Sequence, residues 1–147
     1  MKIAICDDEE LFVRKMYQFL WQQPDCTVEC FLSPTELVEK HNAGARYDVL
    51  FLDVLMSPIN GMELARKIRK YDENAIFIFL TFYLDYDPEG YEVNAFRYLL
   101  KPVTEDSVRL VMGEVRRKLE DSSQTLLIKS PKSSFPFFLT IAVHGSD

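Results

Sequence analysis

The chain has 147 residues, 48% hydrophobic and 27% charged, a balance that permits a packed core and excludes a disordered polymer. That length suits one compact domain plus a little extra, and a formal charge of −6 argues against unaided binding of nucleic acid. The opening MKIAICDDEE turns acidic too early for a signal peptide, and no apolar run approaches membrane-spanning length, so the chain reads as cytoplasmic.

Short apolar runs of strand length occur at Ile3–Cys6, Val28–Leu32, Val49–Leu52, Ile76–Leu80 and Phe96–Leu100. Several lack polar alternation, as strands covered on both faces do. Helical patterns lie between them. Phe12, Met16, Phe19 and Leu20 mark a first apolar stripe, with Tyr17 and Trp21 decorating the same helix. Ser33-Pro34-Thr35-Glu36 offers a capping box with proline at the first helical position, and Asn60 with Glu63 offers a second. Between Tyr83 and Asn94, Pro88 and Gly90 interrupt the pattern, so a short or irregular helix is expected. Thr104 caps a last helix whose stripe is Val108, Val111, Met112, Val115 and Leu119. The order βαβαβαβαβα implies a doubly wound parallel sheet of flavodoxin-like strand order 2-1-3-4-5.

Past Leu119 the pattern changes. Residues Asp121 to Gln124 read as a linker, and Leu126–Ile128 with Phe137–Val143 read as a hairpin-like pair. Three cysteines, an odd number, fit a reducing compartment. Cys26 and Cys30 lie in strand-like sequence, where four residues span about 13 Å at about 3.3 Å each. A disulfide needs α-carbons within about 7 Å, so they read as buried or half-buried thiols. His41 and His144 have no neighbours in metal spacing and receive no role.

In this strand order, Asp7 and Asp8 follow the first strand, Asp53 ends the third, Thr81 the fourth and Lys101 the fifth. Ligands of such sheets sit at the carboxyl ends of the strands. Each residue alone has an ordinary explanation: acids favour a helix start, and a threonine or lysine ends many strands. Together they put three carboxylates, a hydroxyl and an ammonium in one cleft. Crowded carboxylates repel and raise a pKa, and a hard cation such as magnesium, taking the carboxylates and one backbone carbonyl, removes the problem. Asp53 then reads as a nucleophile for phosphoryl transfer, with Lys101 neutralising charge and Thr81 donating a hydrogen bond.

The motifs ICDDEE, LFLDVLMSPINGMELARKIR, IFLTF and FRYLLKPV resemble the response-regulator receiver domains of two-component signalling over about Met1 to Leu119. The resemblance implies that Asp8 binds Mg2+ directly, Asp7 mainly through water, and that the Leu55 carbonyl completes the metal site. It implies that Asp53 accepts the phosphoryl group, that Thr81 and Tyr98 form the switch, and that Lys101-Pro102 is a cis bond. Two residues depart from the family pattern: Ser57, followed by Pro58, replaces a common proline, and Phe82 replaces a small residue beside the phosphoryl site. The ARKIR and NAFRYLLKPV phrasing is similar to receivers joined to LytTR-type DNA-binding domains. Implied partners are a sensor histidine kinase, a second copy on phosphorylation, and DNA only through an output domain.

Haloacid-dehalogenase-type phosphatases share the nucleophile, metal, threonine and lysine, but need an aspartate where this chain has Leu55, so a turnover enzyme is disfavoured. A flavin-binding module would want a hydroxyl- and glycine-rich loop where DDEE stands. A pseudo-receiver that binds partners without phosphorylation fits poorly with the complete acidic set. On this reading residues 1–120 are the receiver and 121–147 a linker and extension. Residues 124–147 carry +1, from Lys129 and Lys132 against Asp147, and leave −7 for the first 123. They are expected to open a LytTR-type output domain cut short in this chain, against the alternative of an unrelated extension.

Overall fold

The computed structural model describes residues 1–83 and 88–128. Five strands, β1 (Lys2–Cys6), β2 (Thr27–Phe31), β3 (Val49–Asp53), β4 (Ile76–Thr81) and β5 (Arg97–Leu100), form one parallel sheet in the order β2-β1-β3-β4-β5. The helices are α1 (Glu10–Leu20), α2 (Pro34–Asn42), α3 (Gly61–Arg69), α4 (Pro88–Glu92) and α5 (Glu105–Ile128). This is the flavodoxin-like order the sequence implies. β3 and β4 are buried along their whole length and β1 after its first residue, which explains their unbroken apolar runs. β2 and β5 at the edges keep exposed positions.

Two compact units divide the chain, Met1–Val108 and the segment from Arg109 onward. In the first, Ala4, Leu50, Leu52, Phe77 and Phe79 from the sheet and Leu64 from α3 anchor a core cluster. α1 buries Met16 and Leu20 of the stripe expected from sequence, with Val13 completing an i, i+3, i+7 set in place of Phe12 and Phe19. Phe12 and Phe19 are only partly covered. The helix is rotated because Val13 shares the i+3 and i+7 positions, which pattern counting alone weighs equally with Phe12.

The caps follow from sequence. Asn60 and Glu63 complete the reciprocal box at α3, whereas Ser33 accepts a bond from Thr35 N behind Pro34. Thr104 and Ser107 exchange bonds at the start of α5. α4 has five residues, as Pro88 and Gly90 suggested. α5 continues to Ile128, so the expected linker at 121–124 and apolar strand at 126–128 are helical instead. No glycine or proline intervenes between Glu114 and Ser130, and Leu126 falls seven residues after Leu119, so nothing breaks the helical register. The second apolar run, Phe137–Val143, and His144 lie outside the described residues.

All three cysteines are free: Cys6 buried, Cys26 intermediate, and Cys30 exposed rather than half-buried because it sits on the edge strand. His41 is buried in α2 with no hydrogen-bond partner for Nε2 among the described residues, and burial followed by the Arg46 charge lowers its pKa. Arg69 ends α3 and ties three segments together. It donates to the carbonyls of Asp72, Glu73 and Ala75 before β4 and of Val93 and Asn94 after α4, with its guanidinium 4.4 Å from the Phe77 ring centroid. One turn earlier, Arg66 pairs with Glu89 of α4 at 2.9 Å.

Gly61 opens α3 against the end of β3, where its N–H donates to the Val54 carbonyl at 3.0 Å. A β-carbon there would drive into the Asp53 carbonyl oxygen and lie 3.2 Å from the Val54 α-carbon, both backbone. Gly61→Ala is therefore expected to lower stability by about 1–3 kcal/mol, as overpacking does. Urea unfolding checks this; an unchanged midpoint would mean that the β3–α3 loop relaxes freely.

Candidate functional site

The strand register brings the polar residues together. Cys6 lies beside Leu52, Asp53 beside Leu80 and Thr81 beside Leu100, so Asp7, Asp53, Thr81 and Lys101 end four adjacent strands at one edge. Lys101 N donates to the Thr81 carbonyl at 2.7 Å, which carries the ladder one residue beyond β5. The peptide bond from Lys101 to Pro102 is cis, as is that from Ser57 to Pro58.

At the centre, the Lys101 ammonium donates to Asp7 Oδ2 at 2.8 Å and to Asp53 Oδ1 at 3.1 Å. All three are nearly sealed: Asp7 is 1% exposed, Asp53 6% and Lys101 8%. Asp7 Oδ1 accepts the Glu9 N–H at 2.9 Å, which fixes that carboxylate from its other side. Thr81 is buried at the cleft wall, and its oxygen accepts the Tyr83 N–H at 3.1 Å, which leaves the hydroxyl proton to donate elsewhere. Tyr98 is half-buried and stacks at a tilt on Phe79, ring centroids 5.5 Å apart. Leu55 stands two residues past Asp53 with an exposed side chain.

Carboxylate oxygens of Asp7, Asp8 and Asp53 lie within 4.8 Å of one another, with Asp8 exposed at the mouth. The donors are all hard oxygens, the set that suits magnesium rather than a soft metal. Three carboxylates against one ammonium leave two negative charges in excess, the charge of one divalent cation. The residues therefore fit the group.

The electrostatics agree. Burial first, then repulsion from Asp7, raises the Asp53 pKa from 3.8 to about 6 despite the Lys101 bond. For Lys101, burial pulls downward, but the bonds to Asp7 and Asp53 outweigh it and the net direction is up. Beneath the carboxylates, burial and the charges of Asp7 and Asp53 push the Cys6 thiol up to about 12, so it stays protonated.

Pattern reading missed Phe12. Its ring centroid lies 4.4 Å from Lys101 Nζ, and the Phe82 ring lies 5.5 Å away. The partial exposure of Phe12, off the buried stripe of α1, is a structural signal that no spacing in the sequence carries.

A carboxyl with a folded pKa of about 6 and an ordinary value of 3.8 destabilises the fold above pH 6, and that penalty vanishes below about pH 4. In chelator-containing buffer, Asp53→Asn should stabilise the protein at pH 7 by about 1–3 kcal/mol, and the gain should shrink as pH falls from 6 to 4. Thermal melts across that range test the sign; destabilisation at pH 7 would contradict it.

Comparison with known proteins agrees with this geometry. The family model described as response regulator receiver domain matches residues 3–112. The sensory transduction protein LytT of Oceanobacillus iheyensis is 34% identical over 137 residues, covering 88% of this chain and 52% of that protein. The transcriptional regulatory protein BtsR of Escherichia coli is 31% identical over 129 residues, covering 86% and 53% respectively. The chain thus spans about half the length of these relatives. Among solved structures, the REC domain of AraT, a response regulator from Geobacillus stearothermophilus, superposes with a TM-score of 0.75 at 29% identity, covering 82% of this chain and 96% of that one. With its family motifs at the ends of adjacent strands and relatives among LytTR-type regulators, the chain belongs to the response-regulator receiver domains.

Proposed function

We propose that this receiver is a phosphorylation switch in which Asp53 accepts a phosphoryl group with Mg2+ held by Asp7, Asp8, Asp53 and the Leu55 carbonyl. The observation that carries the reading is one ammonium shared by Asp7 and Asp53, at 2.8 and 3.1 Å, beside a third carboxylate. At neutral pH an Asp53 with a pKa of about 6 is mostly ionised and therefore nucleophilic. Lys101 engages Oδ1, and the other oxygen attacks phosphorus. A carboxyl oxygen–phosphorus bond forms while the donor's bond to phosphorus breaks, and the donor leaves with that electron pair. The bound cation supplies compensation for charge on the phosphoryl oxygens. Lys101 then turns an N–H toward one of those oxygens, and Thr81 donates its hydroxyl proton to another.

Movement of Thr81 vacates space for Tyr98, whose ring packs against Phe79. That two-state element carries the signal to the surface of α4, β5 and α5. The chain is a phosphoacceptor rather than a turnover enzyme, since Leu55 offers no second acid for release of the acyl phosphate. Its phosphodonor is a sensor histidine kinase, the chain itself acts in the cytoplasm, and the switched surface supports dimerisation. Within a longer protein, transcription control through DNA would belong to a LytTR-type output region, a reading supported by the similarity to the transcriptional regulatory protein BtsR. Among the described residues, no helix is long and apolar enough to cross a membrane.

Incubation with acetyl phosphate and magnesium should add the mass of one phosphoryl group, and hydroxylamine should remove it. Asp53→Asn should take up none, and omission of magnesium should abolish uptake by the native chain. Equal labelling of the Asn variant would overturn the assignment.

A further inference from the structure

Lys101 Nζ has two kinds of neighbour. It meets the oxygens of Asp7 and Asp53, and it also meets the Phe12 ring, 4.4 Å to its centroid, with Phe82 at 5.5 Å. The two rings are not equivalent. Phe82 follows β4 and is 61% exposed, whereas Phe12 sits within the first turn of α1, only partly exposed, on a helix anchored by Val13, Met16 and Leu20. Packing alone does not account for Phe12, because that buried stripe lies beside it.

We infer that Phe12 is a positioning residue for Lys101, its ring holding the ammonium in the cleft without claiming a directed N–H bond. This rests on the reading of Asp53 as the phosphoacceptor. An aromatic face attracts a cation through its quadrupole, and the attraction varies little as the ammonium rotates. A carbonyl or carboxylate in the same place would capture one N–H and oppose its transfer. Phosphorylation requires such a transfer, because the N–H now on Asp53 Oδ1 must turn to an oxygen of the incoming phosphoryl group. The ring also occupies space from which water would solvate the ammonium. Phe12 thereby keeps Lys101 fixed in position and free in orientation.

Phe12→Leu keeps a side chain of similar bulk and removes the π face; Phe12→Tyr keeps the face. NMR of the labelled protein should show the Lys101 ε-protons shifted upfield by ring currents in the native chain and in Phe12→Tyr, and clearly less so in Phe12→Leu, where only the more distant Phe82 ring remains. The phosphorylation rate with acetyl phosphate and magnesium should fall about threefold to tenfold in Phe12→Leu, the loss of one partly desolvated cation–π contact, and recover in Phe12→Tyr. Thermal melts accompany both variants, and the Tyr rescue separates a positional effect from simple loss of packing. An undiminished upfield shift or an unchanged rate in Phe12→Leu overturns the inference, as does failure of Phe12→Tyr to recover. If the native chain accepts no phosphate, the phosphoacceptor reading fails, while the ring-current comparison still decides whether Phe12 holds Lys101.

Discussion

Lys101 ties the first and third strands to the fifth through one ammonium, and much of the cleft follows from that bridge. Two carboxylates at the ends of adjacent strands, almost without solvent, would repel each other strongly if nothing lay between them. The bridge offsets part of the repulsion and leaves Asp53 with a pKa of about 6. Removing the lysine would cost more than the bridge itself contributes, because both carboxylates would stay behind uncompensated. The sheet order is what makes the bridge geometrically available: β4 stands between β3 and β5, and its last residue presents Thr81 between the acid and the lysine. The two negative charges that one lysine leaves over are what a divalent ion would neutralise.

Much of this was legible in the sequence. The central strands are short apolar runs that end in a polar residue, and burial on both faces is the reason they show no alternation. Asp7, Asp8, Asp53, Thr81 and Lys101 could be placed at one edge because a parallel sheet puts every strand's carboxyl end on the same side. What the sequence hid depends on rotation and on breaks. The facing of α1 turned on Val13, whose position competes with Phe12 for the buried stripe, and that turn delivers Phe12 to the lysine. The end of α5 was read too early because serine and aspartate suggest a linker, yet without glycine or proline they do not stop a helix. Cys30 is exposed because β2 is an edge strand, a fact of topology rather than of local composition.

The ion pairs of the chain differ in what they contribute. Arg14 with Glu10 and Lys40 with Glu29 are exposed ion pairs of the kind worth about 0–1 kcal/mol. The bonds from Lys101 are buried and charge-assisted, a stronger class. Substitutions at the exposed pairs and at the bridge therefore report on different things: the former on solubility and local helix stability, the latter on the cleft itself.

Arg69 gives α4 unequal ends. Where the chain leaves the helix, the carbonyls of Val93 and Asn94 rest on a half-buried guanidinium that also grips the α3–β4 loop. The helix's first turn meets α3 through Arg66 and Glu89, both solvent-exposed. The two ends of α4 are thus held by contacts of different strength, several bonds to one half-buried guanidinium at its close and an exposed ion pair at its start. Loss of Arg69 would therefore release the close of α4 and the α3–β4 loop together, whereas loss of Arg66 would release the start of the helix alone.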